Sequence, residues 1–337
     1  MFLNAAAAQA QSGIWTKDAS GNWSDTNNWA GGIVANGAGN TADFSALDIT
    51  ANRTVTLDSD RTIGIIQFRD QSQSQLWTLS GSSTLTLDNG TNAPKVRALA
   101  QPCYINVVLA GANGVAAPDQ VSTAVFNAAN TYTGQTAIHR GTLRVGNTNA
   151  LPGGSRAGDI VFYTGGNTGD FPQLDLDTFS ITINGLSSAV SNTGSTTLPK
   201  VTSLSSAVGT NLLTLGDNDA SGSYDGTIAN GPTRAVALKK IGTGTQVLNG
   251  ANSYSGGTTI SSGTLVLNGV NSGTGASVVN GGGLLAGSGS IAAPVSVSWG
   301  GAISPGIGAG SMTLSGGLAV GGGGGAYVWD LAANSTN

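Results

Sequence analysis

The sequence predicts an all-β chain: a single right-handed parallel β-solenoid with an aromatic-rich N-terminal cap. Three observations carry that reading. Short runs alternating apolar and polar residues fill the chain, among them "TVTLDS" at 54–59, "STLTLDN" at 83–89, "QLDLDTFSITING" at 173–185 and "LLTLGD" at 212–217. Each closes on Gly, Asn, Asp or Ser, so each reads as a strand bounded by turns. Glycine interrupts every window that could hold the i, i+3, i+4, i+7 apolar stripe of a helix. Finally, one stretch occurs twice.

The repeated stretch is "NTYTGQTAIHRGTLRVGN" at 130–147 and "NSYSGGTTISSGTLVLNG" at 252–269, which share 8 of 18 residues. Alternation along the second copy predicts Ile260, Leu265 and Leu267 in the core and Ser261, Thr264, Val266 and Asn268 outside. The first copy then buries Ile138, Leu143 and Val145 and turns His139 and Arg144 outward. His139, the only histidine, aligns with Ser261, which argues for a solvated strand residue rather than a catalytic one. Gly141 and Gly263 stand between two strands, where a corner needs φ > 0. Strand, corner, strand and arc, repeating at roughly 22–28 residues, is how a solenoid stacks its rungs on one core.

Composition narrows the function classes. The 337 residues are only 9% charged and carry 53 glycines, yet 39% are apolar, enough to build a core. Disordered chains combine low hydrophobicity with high net charge, and neither holds here. A net charge of −4, with 13 scattered Lys and Arg, argues against a nucleic-acid partner. No apolar run reaches the ~18 residues of a membrane helix. The lone Cys103 excludes an internal disulfide framework and a multi-cysteine metal site, and reads as a small buried hydrophobe. Residues 1–12 read as an N-terminal arm or a signal-peptide remnant, with Ala8-Gln9-Ala10 in small-x-small form. Residues 13–50 read as the cap region and 51–337 as solenoid, with repeats at 123–147 and 238–269.

Few constellations could carry chemistry. Asp217, Asp219 and Ser221 in "DNDASG" have the start of a calcium loop, but the twelfth position, which needs a bidentate Glu, is Ile228. A polar turn is the simpler reading. Asp175 and Asp177 in "LDLDTF" share a strand face, spaced like paired carboxylates of a glycoside hydrolase. Leu174, Leu176 and Phe179 would form the buried face, leaving a solvated pair without a catalytic role. Trp15, Trp23 and Trp29 fall within 15 residues, suited either to stacking on a glycan or to covering the exposed core of a first rung. "GGGGG" at 321–325 is too degenerate for a phosphate loop. No catalytic residue and no cofactor is expected.

The stretch "LKKIGTGTQVLNGANSYSGGTTISSGTLVLNG" at 238–269 resembles the autotransporter-associated β-strand repeat of large bacterial surface and secreted proteins. Its frame is Leu-x-Lys-x-Gly-x-Gly, an apolar strand, Gly-x-Asn-x-Tyr-x-Gly, then x-Thr-x-Ile-x-x-Gly-Thr-Leu. "VVNGGGLLAGSGSIAAPVSVSWGGAISPG" resembles the rungs that follow such a repeat, and "WTKDASGNWSDTNNWAGG" at 15–32 an opening segment. The resemblance implies a β-helical passenger outside the cell. Gln246 departs from the pattern at an inward apolar position and must find a partner inside, or shift its strand. The resemblance also implies a membrane barrel or apolar anchor, and "GGGGGAYVWDLAANSTN" has neither pattern.

Three function classes compete: a self-assembling structural protein, a glycan-binding adhesin passenger and a β-helical carbohydrate enzyme. Scattered charges make the enzyme the weakest. The sequence favours an extracellular protein that polymerises with itself head to tail, with the adhesin passenger as the alternative. The expected contacts are Phe2, Leu3 and Ile14 at one end, on an arm without charge, and Tyr327, Val328, Trp329 and Leu331 at the other, on a segment whose single charge is Asp330, where strands leave unpaired edges.

Overall fold

The computed structural model describes residues 10–154, 157–164, 171–190, 198–306, 310–321 and 326–327. Among these residues there is no α-helix, only short strands, turns and 3-10 turns at Thr26–Asn28, Ala30–Gly32 and Asp217–Asp219. Paired strands run parallel to their neighbours. The chain divides into two compact units, residues 1–152 and 153–337.

In the first unit, Gly13–Ile14, Gly37–Phe44, Arg61–Phe68, Lys95–Ala98, Val115–Ala116 and Gly134–Ile138 stack in sequence order into one sheet. A second sheet stacks Gly21–Asn22, Arg53–Thr56, Trp77–Ser80, Cys103–Ile105, Thr123–Phe126 and Thr142–Val145. Thr84–Leu87 pairs with Val108–Ala110 and with the start of Arg61–Phe68, adding a third strip. Parallel neighbours cannot be joined by a hairpin, so the chain completes a circuit between one strand and the next in its sheet. That is a parallel β-solenoid.

The second unit repeats the plan. One sheet stacks Ile181–Ile183, Gly209–Leu215, Arg234–Lys240, Thr258–Ile260, Ser277–Val279, Val295–Val297 and Leu318–Val320. Another stacks Gly222–Tyr224, Thr245–Leu248, Gly263–Leu267, Gly283–Gly287, Ala302–Pro305 and Ala326–Tyr327. Leu238, Thr258, Ser277, Val295 and Leu318 are successive register partners, so these rungs are 20, 19, 18 and 23 residues long. Most are shorter than the spacing expected from sequence, because the arcs are tight glycine and serine turns.

Ile138, Leu143, Val145, Ile260, Leu265 and Leu267 are all buried, as their alternation predicts. Val266 corrects the expectation: it is fully buried, although flanked by the inward Leu265 and Leu267. Its ladder neighbours are Val247 and Ala286, so this strand carries an apolar column on its outer face as well. Gln246 is buried without any shift of register, standing between Gly222 and Leu265. Its Nε2 donates to the Leu186 carbonyl at 2.8 Å and its Oε1 accepts the Leu186 N–H at 3.0 Å. Gly222 lies close enough to Leu186 and Gln246 that a Cβ there would fall 3.0 Å from Gln246 Oε1. The missing side chain is what lets the amide reach past one rung to the next.

Polar turns hold the stack together by a simple device. At a strand start or in the turn before it, an N–H is accepted by a short side chain one rung earlier. Asp48 accepts from Ser72 N (3.0 Å), Asn52 from Leu76 N (3.1 Å), Asp60 from Thr84 N (2.8 Å), Asp219 from Thr243 N (2.7 Å) and Ser221 from Thr245 N (2.9 Å). Each of these pairs is separated by 24 residues. All 17 acidic residues of the chain are Asp and none is Glu. The reach across one strand spacing, about 4.8 Å, suits the shorter side chain.

Candidate functional site

The shared residues of the two repeats make the same asparagine Oδ1 bond and the same Tyr–Thr contact in both copies, while the asparagine Nδ2 finds a different carbonyl in each. Asn130 Oδ1 accepts the Leu109 N–H at 2.9 Å, and Asn252 Oδ1 accepts the Ile228 N–H at 2.9 Å. Their amide groups donate to Ala150 O (2.8 Å) and Gly250 O (3.0 Å). The hydroxyls of Tyr132 and Thr136 lie 2.7 Å apart, and those of Tyr254 and Thr258 2.8 Å apart, all four residues buried. Burial raises the Tyr254 pKa to about 12, so both rings stay neutral over the physiological range.

Gly141 and Gly263 have φ of 65° and 64°. A Cβ on Gly141 would lie 2.1 Å from Ser122 O, and one on Gly263 2.3 Å from Gly242 O. The second corner is also held by Lys240, whose buried ammonium donates to Ile241 O (2.5 Å) and Gly242 O (3.1 Å). Burial pushes its pKa down and Asp219 opposes that. The motif lysine is thus a corner clamp, a role that the sequence reading missed.

Trp15, Trp23 and Trp29 are buried and packed on one another and on Phe44, with ring centroids 5.3–5.6 Å apart. Phe44 in turn stacks on Phe68 at 5.0 Å. Each indole N–H is satisfied by a carbonyl: Trp15 by Lys17 (2.7 Å), Trp23 by Ala35 (2.9 Å) and Trp29 by Trp23 (2.7 Å). The rings fill the first rung's interior, and no face is left open for a stacked sugar.

The acidic candidates hold the backbone. Asp217 accepts from Gly154 N (2.6 Å) and Asn218 N (3.1 Å) and Asp219 from Thr243 N, while Ser221 serves Thr245 N. Hydrogen bonding to Thr243 holds the Asp219 carboxyl below its ordinary pKa. These groups point to different amides, and among the described residues no three metal-ligating side chains converge. Asp175 is buried rather than solvated, accepting from Asp177 N (2.9 Å) and Leu204 N (2.7 Å). Asp177 lies beyond the strand end, at φ 44°, so the two carboxylates are not a pair on one strand face.

Asp70, which the sequence reading passed over, is a heavily bonded carboxylate. It accepts from the N–H groups of Ile49 (2.9 Å), Ser74 (2.7 Å) and Gln75 (2.9 Å). Burial alone would raise its pKa, but these donors hold it well below the usual carboxylate range. His139 is half-buried rather than fully solvated; burial lowers its pKa while Asp119 opposes. Asp119 itself pairs with Lys95 (3.2 Å) and Arg97 (3.1 Å). Cys103 is buried, and burial raises its thiol pKa to about 12.

Of the expected assembly residues, Ile14 is 45% exposed on a two-residue edge strand, and Tyr327 sits in a strand paired with Ala302–Ile303. Phe2, Leu3, Val328, Trp329 and Leu331 lie outside the described residues.

Comparison with known proteins fits this repeated frame. The passenger-associated-transport-repeat matches at residues 122–145, 238–267 and 261–286. The third match was not separated from sequence: Asn271, Gly275, Ser277 and Val279 keep the frame of Asn252, Gly256, Thr258 and Ile260, but Gly273 replaces Tyr254. The adhesin BmaC autotransporter of Brucella suis biovar 1 (strain 1330) is 32% identical over 190 residues, covering 54% of this chain and 5% of that relative. The chain therefore spans a small fraction of the relative's length. No solved structure matches. Three stretches of the chain, two of them overlapping at 261–267, thus match the passenger-associated-transport-repeat, and the chain is similar in part to an autotransporter adhesin.

Proposed function

We propose that the chain is a segment of an adhesin-like passenger outside the bacterial cell, a non-enzymatic solenoid that displays a binding surface. The observation that carries this is the use of the polar residues. Asp70, Asp175, Asp217, Asp219 and Lys240 are bonded to backbone amides or carbonyls, not aimed together at a common point. Such side chains build a scaffold, and the similarity to an autotransporter adhesin supplies the context in which a scaffold is useful. The test is adherence: beads coated with the purified chain should bind cultured animal cells above albumin-coated beads, and equal binding would reject the reading.

A second reading, head-to-tail self-assembly, draws on the edge strand Leu318–Val320. Leu318 and Val320 continue columns that are buried one rung earlier at Val295 and Val297, yet they are 37% and 44% exposed. An apolar edge of this kind accepts another strand. Filaments in negative stain, shortened by deleting residues 1–12, would support it. A monomer in sedimentation at high concentration would reject it.

A further inference from the structure

Trp299 is 75% exposed, whereas Trp15, Trp23, Trp29 and Trp77 are buried. It sits on the turn that follows Val295–Val297, where the residues after three stacked strands form columns: Ser261, Asn280 and Ser298; Ser262, Gly281 and Trp299; Gly263, Gly282 and Gly300. Backbone hydrogen bonds run through this corner. Ser298 N donates to Val279 O (2.8 Å), Gly301 N to Ser298 O (3.0 Å) and Gly282 N to Gly300 O (2.9 Å). The indole is therefore mounted on a fixed backbone, not on a loose loop. Its neighbours Gly281, Gly282, Gly300 and Gly301 have no side chains to cover it, and the adjoining polar groups are an amide and hydroxyls.

We propose that Trp299 is the stacking platform of a binding site for a neutral saccharide, with Asn280 and the serines of the adjoining column as hydrogen-bonding partners. The proposal rests on the adhesin reading and gives it a ligand class. A large aromatic ring held open to water has an apolar face that a pyranose C–H face complements, and Trp is prominent among residues that dominate binding when buried by a partner. The nine column residues include no Asp, Lys, Arg or His, and the Lys240 ammonium at the Gly263 corner is buried and bonded to the Ile241 and Gly242 carbonyls, so the exposed corner offers no ion pair to an acidic sugar or a phosphate. At Gly282 the space where a side chain would stand is open, which leaves room beside the ring for a sugar laid on its face.

The test uses the whole chain on a microarray of neutral and sialylated oligosaccharides, with binding followed independently by quenching of tryptophan fluorescence. The wild type should bind a subset of neutral glycans. Trp299→Ala should lose at least tenfold in affinity with an unchanged melting temperature, Trp299→Phe should keep part of it, and Asn280→Ala should weaken it severalfold. Wild type and Trp299→Ala giving the same array pattern, no array binding by the wild type, or a preference for sialylated glycans alone would each overturn the proposal. So would a change in sedimentation by Trp299→Ala without a change in glycan binding, which would assign the ring to a second copy. If bead adherence survives Trp299→Ala, the adhesin reading stands and this site does not.

Discussion

The arc that begins at Asn130 and the arc that begins at Asn252 make the same asparagine Oδ1 bond to the backbone and the same Tyr–Thr contact, but the asparagine Nδ2 donates to different carbonyls and their strands meet different surroundings. Arg144 is half-buried where the equivalent Val266 is completely buried, beside Val247 and Ala286. The corners differ too: at the position of Lys240 the first copy has Pro118, and Gly141 closes over Gln120 O and Ser122 O without an ammonium. Corner geometry and interior bonding are thus fixed by the repeat, whereas the outer face is free to vary. Sequence identity between the copies falls on the parts that every rung needs.

That contrast can be broken most forcefully at the corners. Gly141→Val and Gly263→Val each force a side chain into a positive-φ position already in contact with carbonyls, and each should cost about 3 kcal/mol or more. Ser261→Val, on the outer side of the same turn, should be nearly neutral, and equal thermal melts for the three would disprove the corner geometry. Next in size is the outer face. Val266→Arg buries a charge against Val247 and Ala286 and should cost about 2–3 kcal/mol, while Arg144→Val should change the melting temperature little. A symmetric response would mean that the two faces are equivalent after all.

The interior bonds should respond alike in both copies. Asn130→Ala and Asn252→Ala each strand a buried N–H, of Leu109 or Ile228, at a cost of about 2 kcal/mol. Tyr132→Phe and Tyr254→Phe remove one hydroxyl contact for about 1 kcal/mol, and double-mutant cycles with Thr136→Val and Thr258→Val should recover the coupling. The smallest effect is pH-dependent and confined to the first unit. The Asp70 pKa is lowered in the folded state, so its contribution is complete above the ordinary carboxylate pKa of about 3.9 and is lost as pH falls below it. Asp70→Asn should flatten the fall of melting temperature in that acid range; an unchanged slope would show that the nest is not what acid disrupts.

Much of the fold is legible in the sequence because alternation and turn residues are local signals. Ile260, Leu265 and the glycine at 263 could be placed from their spacing alone. Val266 could not, because its burial depends on Val247 and Ala286, which join it only when rungs stack. Asp175 was misplaced because alternation was extended beyond the strand end, to Asp177 in the left-handed region. The tryptophans show the same limit in reverse. Three clustered rings suit a plug better than a sugar platform but admit both, and the packing on Phe44 is what separates them. The isolated Trp299 gave no cluster to notice, although a tryptophan in the run "SWGG" was a usable signal.

The five side-chain staples at the corners share one direction, opposite to that of the Asp70, Asp217, Asn130 and Asn252 bonds, in which the N–H precedes its acceptor. In the pairs from Asp48, Asn52, Asp60, Asp219 and Ser221, the acceptor precedes its donor by one circuit. A chain delivered N-terminus first, whether from a ribosome or through a membrane pore, presents each of these five acceptors before the amide that needs it.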